Sequence, residues 1–279
     1  MSAGETTQVA QRIRPVIETQ EQDALAQESS MFETLGLVAY DFVRFVRRPG
    51  FQYWEHTFED IWRLLRLTVP LAVFMCFFIG GIISIHAINA INDIGAAKEI
   101  SGILLASLAL RSVSILMVLL SLAASAGAGT VTEFGAMRVN EEIDALESIS
   151  IDSHSYLIGC RMMAVLIVAP ILMVLGTSAC FLGGWGVAML FPDLNLGVYG
   201  DFFWRGLVWI DLVYVAVEVL VIAFVGIMVC ASQGYRASGG PVGVGLAVGR
   251  AMDIVIWVGM LLNLSFSFFY WGTSDTIKM

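Results

Sequence analysis

Lysine is nearly missing: Lys98 and Lys278 are the only two in 279 residues, and neither follows a glycine. A phosphate-binding P-loop needs a lysine after glycine to reach the outer phosphates, so the chain carries no Walker A site. Histidine is limited to His56, His86 and His154, too scattered for H-E-x-x-H or another metal-ligand spacing. Cysteine occurs only as Cys76, Cys160, Cys180 and Cys230, with no C-x-x-C pair, which reads as small apolar packing rather than disulfide or metal chemistry. G-x-S-x-G and a complete G-x-G-x-x-G are absent, and no nucleophile–base pair suggests an intramembrane enzyme. No basic patch of the kind nucleic acid requires is present. The first 30 residues are polar and lack the apolar core of a cleavable signal peptide.

Charged residues make up only 14% of the chain while hydrophobic ones make up 58%, and the formal net charge is −9. Soluble domains carry about 25% charged residues. The deficit sits in five long apolar runs, at 67–91, 103–126, 157–190, 203–231 and 247–271. A run of ~23 residues reaches about 34 Å as a helix, enough to cross ~30 Å of hydrocarbon. The expected fold is an all-α integral membrane protein, with an N-terminal interfacial amphipathic helix and five transmembrane helices. Its parts are a disordered cytoplasmic tail (1–30), an interfacial amphipathic region (31–66), a five-span domain (67–272) and an extracytoplasmic tail (273–279). Leu35, Val38, Phe42 and Phe45 form the apolar stripe of the interfacial helix, and Arg44, Arg47 and Arg48 suit anionic head groups. Pro170 and the Gly183-Gly184-Trp185-Gly186 cluster predict that the third span is kinked or runs past the membrane surface. Lysine and arginine divide 11 to 4 between the two sides, which predicts a cytoplasmic N-terminus and an extracytoplasmic C-terminus.

Ionisable groups inside spans cost about 2.5–3.5 kcal/mol each at a bilayer centre. Asp211 and Glu218, seven residues apart, share one face of the fourth span. One reading is an ion or proton path; the other is that they face the protein interior and pair with a neighbour such as Arg111. Small residues at Ser125 and Gly129, and again at Gly245 and Gly249, predict close helix packing. Between spans two and three, Thr130 and Glu133 fit a capping box. Val139, Ile143, Leu146 and Ile149 fit one apolar stripe, and Arg138 and Glu142 an i,i+4 pair. Such a helix, at about 132–149, is either a solvated connector or a docking element for a soluble partner.

The stretch GAGTVTEFGAMRVNEEIDALESISID resembles the signature loop of the MlaE/YrbE permeases, membrane subunits of ABC-type lipid transporters that work with MCE-domain proteins. VRRPGFQYWEHTFEDIW (46–62), IGAAKEISG (94–102) and GYRASGGPVGVGLAVGRA (234–251) resemble the actinobacterial YrbE branch. The similarity covers about residues 31–272. A leucine-glycine-proline element common in the family is absent from LALRSVSILMVLL, and Ser153 and Thr132 replace a usual proline and alanine. These departures would suit one of two unlike permeases in a heterodimer.

The resemblance implies a permease homo- or heterodimer in the plasma membrane, with two ABC ATPase subunits on its inner face and MCE proteins outside. It assigns Arg138, Glu141, Glu142, Ile143, Asp144, Ala145 and Leu146 to ATPase coupling. It also implies a lipid cavity at the dimer interface, for which Phe78, Ile82, Ile85, Leu116 and Leu119 are the candidates by position. The cargo would be a fatty acid, sterol or related lipid, moved inward, with hydrolysis by a partner and no cofactor in this chain. The alternative is an ion- or proton-coupled carrier built on Asp211 and Glu218.

Overall fold

The computed structural model describes residues 53–148 and 157–272, together with positions 36, 38, 40 and 42. The expected tails (1–30 and 273–279) and most of the interfacial helix lie outside the described residues. The four isolated positions are helical, and Val38 is buried while Phe42 packs edge-on against Phe224. Both belong to the stripe that the sequence places on the apolar face.

Among the described residues there is no strand, and five helices are long and apolar enough to cross a membrane. Helix α1 is Tyr53–Asp93. Helix α2, Lys98–Val139, contains two π turns, Ala109–Val113 and Ala123–Gly127. A short helix α3, Glu142–Ser148, follows. Helix α4 is Gly159–Ala188 and continues through Pro170; its 30 residues span about 45 Å, longer than a hydrocarbon core needs. Helix α5, Leu196–Gly206, lies between the third and fourth crossings. Helices α6, Trp209–Tyr235, and α7, Gly240–Ser267, complete the bundle.

Two boundaries differ from the sequence reading. The part of the expected interfacial region from Tyr53 to residue 66 is helical and continues without a break into the first span. Residues 203–206, read as the start of span four, belong instead to α5. Asn195 caps that helix, its Oδ1 accepting from the amides of Gly197 (3.1 Å) and Val198 (3.4 Å). Leu207 and Val208 then take extended backbone angles and start α6 afresh.

Helices α1 and α4 make the most extensive contact. They run parallel at a nearly constant offset of about 100 residues: Asp60 meets Arg161, Cys76 meets Gly176, and Gly80 meets Cys180. Apolar helices gain little from leaving lipid for each other, so close van der Waals packing must hold them. Glycine supplies it here. A Cβ on Gly80 would collide with the Cys180 backbone, and one on Gly183 with the Phe77 carbonyl. Gly183, and Gly184 against Leu105, are thus packing positions in an unbroken helix. By contrast, a Cβ on Gly129, Gly245 or Gly249 would meet nothing within 4 Å, so the expected close approach at these positions does not occur within this chain.

Several hydroxyl groups in the spans bond back onto their own helices, which satisfies them away from water. Thr130 Oγ1 donates to the Ala126 carbonyl at 2.7 Å, and Ser125 Oγ to that of Ser121 at 2.7 Å. Thr68 and Ser125 hydroxyls also meet at 2.6 Å, joining α1 to α2.

Candidate functional site

The segment leaving α2 and the root of α4 frame the loop that the sequence singles out. Helix α2 runs unbroken through Thr130, so Thr130 bonds back to Ala126 and does not cap a new helix. The helix stops at Val139. Asn140 takes a bridging conformation (φ −85°, ψ 4°) and Glu141 a left-handed one (φ 58°). Asn140 Nδ2 donates to Glu142 Oε1 at 3.2 Å, a local bond that competes with helix continuation. The single helix expected over 132–149 is therefore two, broken at Asn140–Glu141, and the Arg138–Glu142 spacing spans that break.

The expected coupling residues separate accordingly. Glu141, Glu142 and Ala145 are exposed, whereas Ile143 is fully buried and unavailable to a partner in this conformation. Arg138 lies over the Tyr235 ring at 5.6 Å, joining the end of α2 to the end of α6. Asp144 and Leu146 lie within α3. Ile149 falls outside the described residues.

Below the loop sits an ion cluster that the sequence did not announce. The Arg161 side chain, only 5% exposed, donates from Nη2 to Glu133 Oε2 and from Nη1 to Asp60 Oδ1 at 2.9 Å. Arg63 Nη2 reaches the same two carboxylates, at 2.9 Å to Glu133 and 3.1 Å to Asp60. Two cations thus share two anions contributed by α1, α2 and α4. The cluster borders a cavity of about 280 Å³ that also touches His56, Glu59 and Leu157.

At the opposite end, Arg111 lies in the first π turn and donates from Nε to Asp211 at 2.8 Å. Asp211 faces the interior, as does Glu218, which accepts from Asn263 Nδ2 at 2.7 Å. The interior-facing reading of these two carboxylates, with Arg111 as partner, matches this arrangement. The lipid-cavity candidates do not share one surface. Phe78, Ile82 and Ile85 project outward from α1, but Leu119 is buried against Gly259 of α7 and Leu116 is half-buried. Leu119 is therefore a packing residue within the chain.

The family model described as Permease MlaE matches residues 57–269. The chain belongs to the MlaE permease family. Among its relatives is a "Probable ABC transporter permease protein" of Rickettsia bellii (strain RML369-C), 27% identical over 228 residues, covering 82% of this chain and 86% of the relative. A similarly described protein of Synechocystis sp. (strain ATCC 27184 / PCC 6803 / Kazusa) is 25% identical over 210 residues, covering 75% and 80%. This MlaE-family protein is thus an ABC transporter permease and a multi-pass membrane protein. Its short loop helix and the ion cluster beneath it lie inside the matched region.

Proposed function

We propose that this permease is the membrane subunit of an ABC-type MCE lipid transport system, importing a fatty acid, sterol or related lipid. It works as a homo- or heterodimer, takes its energy from separate ATPase subunits docked on the 140–158 loop, and hands lipid to or from MCE proteins outside. The observation that carries the reading is the exposed acidic turn Glu141–Glu142 opening a short helix between two crossings. A short helix beyond the bilayer, lying in the chain between two spans, suits a groove in a soluble motor. The same side holds Arg63, Arg66, Arg138, Arg161, Arg236 and Arg250, against Lys98, Arg111 and Arg205 on the other, which supports a cytoplasmic loop and N-terminus.

The test is co-purification. In an E141K/E142K variant, recovery of the ATPase with the permease falls at least tenfold, while permease abundance and monodispersity in mild detergent stay unchanged. Recovery equal to the parent would refute the docking role of the loop. Lipids co-purifying with the parent identify the cargo class.

A further inference from the structure

We infer that Arg161 is a positioning residue: it clasps the two roots of the 140–158 loop to α1, so that a push on the loop moves the first span rather than bending the loop alone. This inference rests on the docking role proposed for that loop.

Three observations carry it. Arg161 lies at the start of α4, where the chain re-enters the bundle, and Glu133 lies in the last turns of α2, where it leaves. Their ion pair closes the loop at its base. The second arm of the same guanidinium holds Asp60, on the segment of α1 that precedes the first apolar run. A guanidinium is a rigid planar fork, so it fixes its two carboxylates relative to each other, which a lysine ammonium would not. Arg63 then spans the same two carboxylates from the exposed side.

The cluster is not needed to hold α1 against α4. That contact is already secured deeper in the bundle by Gly80 on Cys180, Gly183 on Phe77 and Gly176 on Cys76. Buried ion clusters contribute little to stability when compared with apolar replacements of similar volume. What the cluster adds is the last turns of α2: beyond the Thr68–Ser125 contact deeper in the bundle, it joins the end entering the loop to the helix pair beside it. The adjoining 280 Å³ cavity leaves room for the clasp to shift as a unit.

The experiment uses the complete transporter, permease with its ATPase, in vesicles of phosphatidylethanolamine and phosphatidylglycerol carrying an NBD-labelled fatty acid. The variants are R161Q, R161K and the neutral triple D60N/E133Q/R161M, which avoids stranding a charge. The readout is lipid transferred per ATP hydrolysed, alongside ATPase recovery. The expected result for R161Q and the triple variant is unchanged ATPase recovery, hydrolysis within twofold of the parent, and a transfer-to-hydrolysis ratio lowered at least tenfold. R161K falls between. A ratio within twofold of the parent in the triple variant overturns the inference. So does failure of both R161Q and the triple to reach parental abundance, because the cluster would then be a folding element. If the parent itself binds no ATPase, the docking proposal fails first and separately.

Discussion

Replacing Gly183 by alanine puts a methyl group 2.8 Å from the Phe77 carbonyl carbon and 3.2 Å from its Cα. Non-bonded carbons rest at about 3.5–4.0 Å, so α1 and α4 must part by on the order of 1 Å. Neither obstacle is a flexible side chain that could swing aside; both are backbone. Overpacking of this kind costs about 1–3 kcal/mol. A gap of that size also forfeits roughly a quarter to a half of the local dispersion energy, which is the main attraction between helices in lipid. Taking about 2 kcal/mol, the unfolding equilibrium shifts roughly 30-fold. Gly80→Ala meets the Cys180 backbone at 2.7 Å and 2.8 Å and costs a similar amount. Because both methyls force the same separation, the double variant should lose clearly less than the sum of the two. Gly186→Ala is the control: it is exposed and its Cβ meets nothing within 4 Å, so it is neutral or gains up to about 1 kcal/mol of helix propensity. Tryptophan fluorescence during SDS titration in mixed micelles measures all four. The reasoning is refuted if G183A unfolds at the same SDS fraction as G186A, or if the double variant is strictly additive.

Three further outcomes follow from the geometry. Asn195→Ala removes the cap of α5 and should cost about 0.5–2 kcal/mol in the same titration, with Asn195→Asp retaining most of it. Arg111→Leu leaves Asp211 buried without its guanidinium and should lower permease abundance more than the paired R111L/D211N change, which removes both charges; equal loss in both would argue against the ion pair. D211N/E218Q keeps side-chain size and the Asn263 contact, so ATP-driven transfer should stay within twofold of the parent; abolished transfer with intact hydrolysis would favour the ion-coupled reading instead.

Much of this architecture was legible in the chain because lipid imposes a coarse, local code. Five apolar runs correspond to five crossings, and the seven-residue spacing of Asp211 and Glu218 places both on the inward face of α6. Of the expected amphipathic stripe, Val38 is buried and Phe42 meets Phe224, while Leu35 and Phe45 lie outside the described residues. Local patterns misled where a tertiary contact or a helix end decided the outcome. Thr130 and Glu133 have capping-box spacing, but α2 simply continues through them. Gly245 and Gly249 have packing spacing, while the interlock lies at Gly80 and Gly183, whose partners are 100 and 106 residues away. The Arg161 clasp was hidden for the same reason: it joins positions 28 and 101 residues apart, and each taken alone is an ordinary charged residue near a span end.

The two π turns of α2 have a consequence for how its length can vary. Each widens the hydrogen-bonded ring by one residue relative to the α ladder, so each stores a single surplus position. Elsewhere in a helix, deleting one residue swings everything beyond it by about 100° and turns inward faces to the lipid. Deletion of one small residue within Ala123–Gly127 would instead tighten the turn to ordinary α geometry and leave Glu133 and Ser114 on their present faces, making this the stretch of the second crossing most tolerant of shortening.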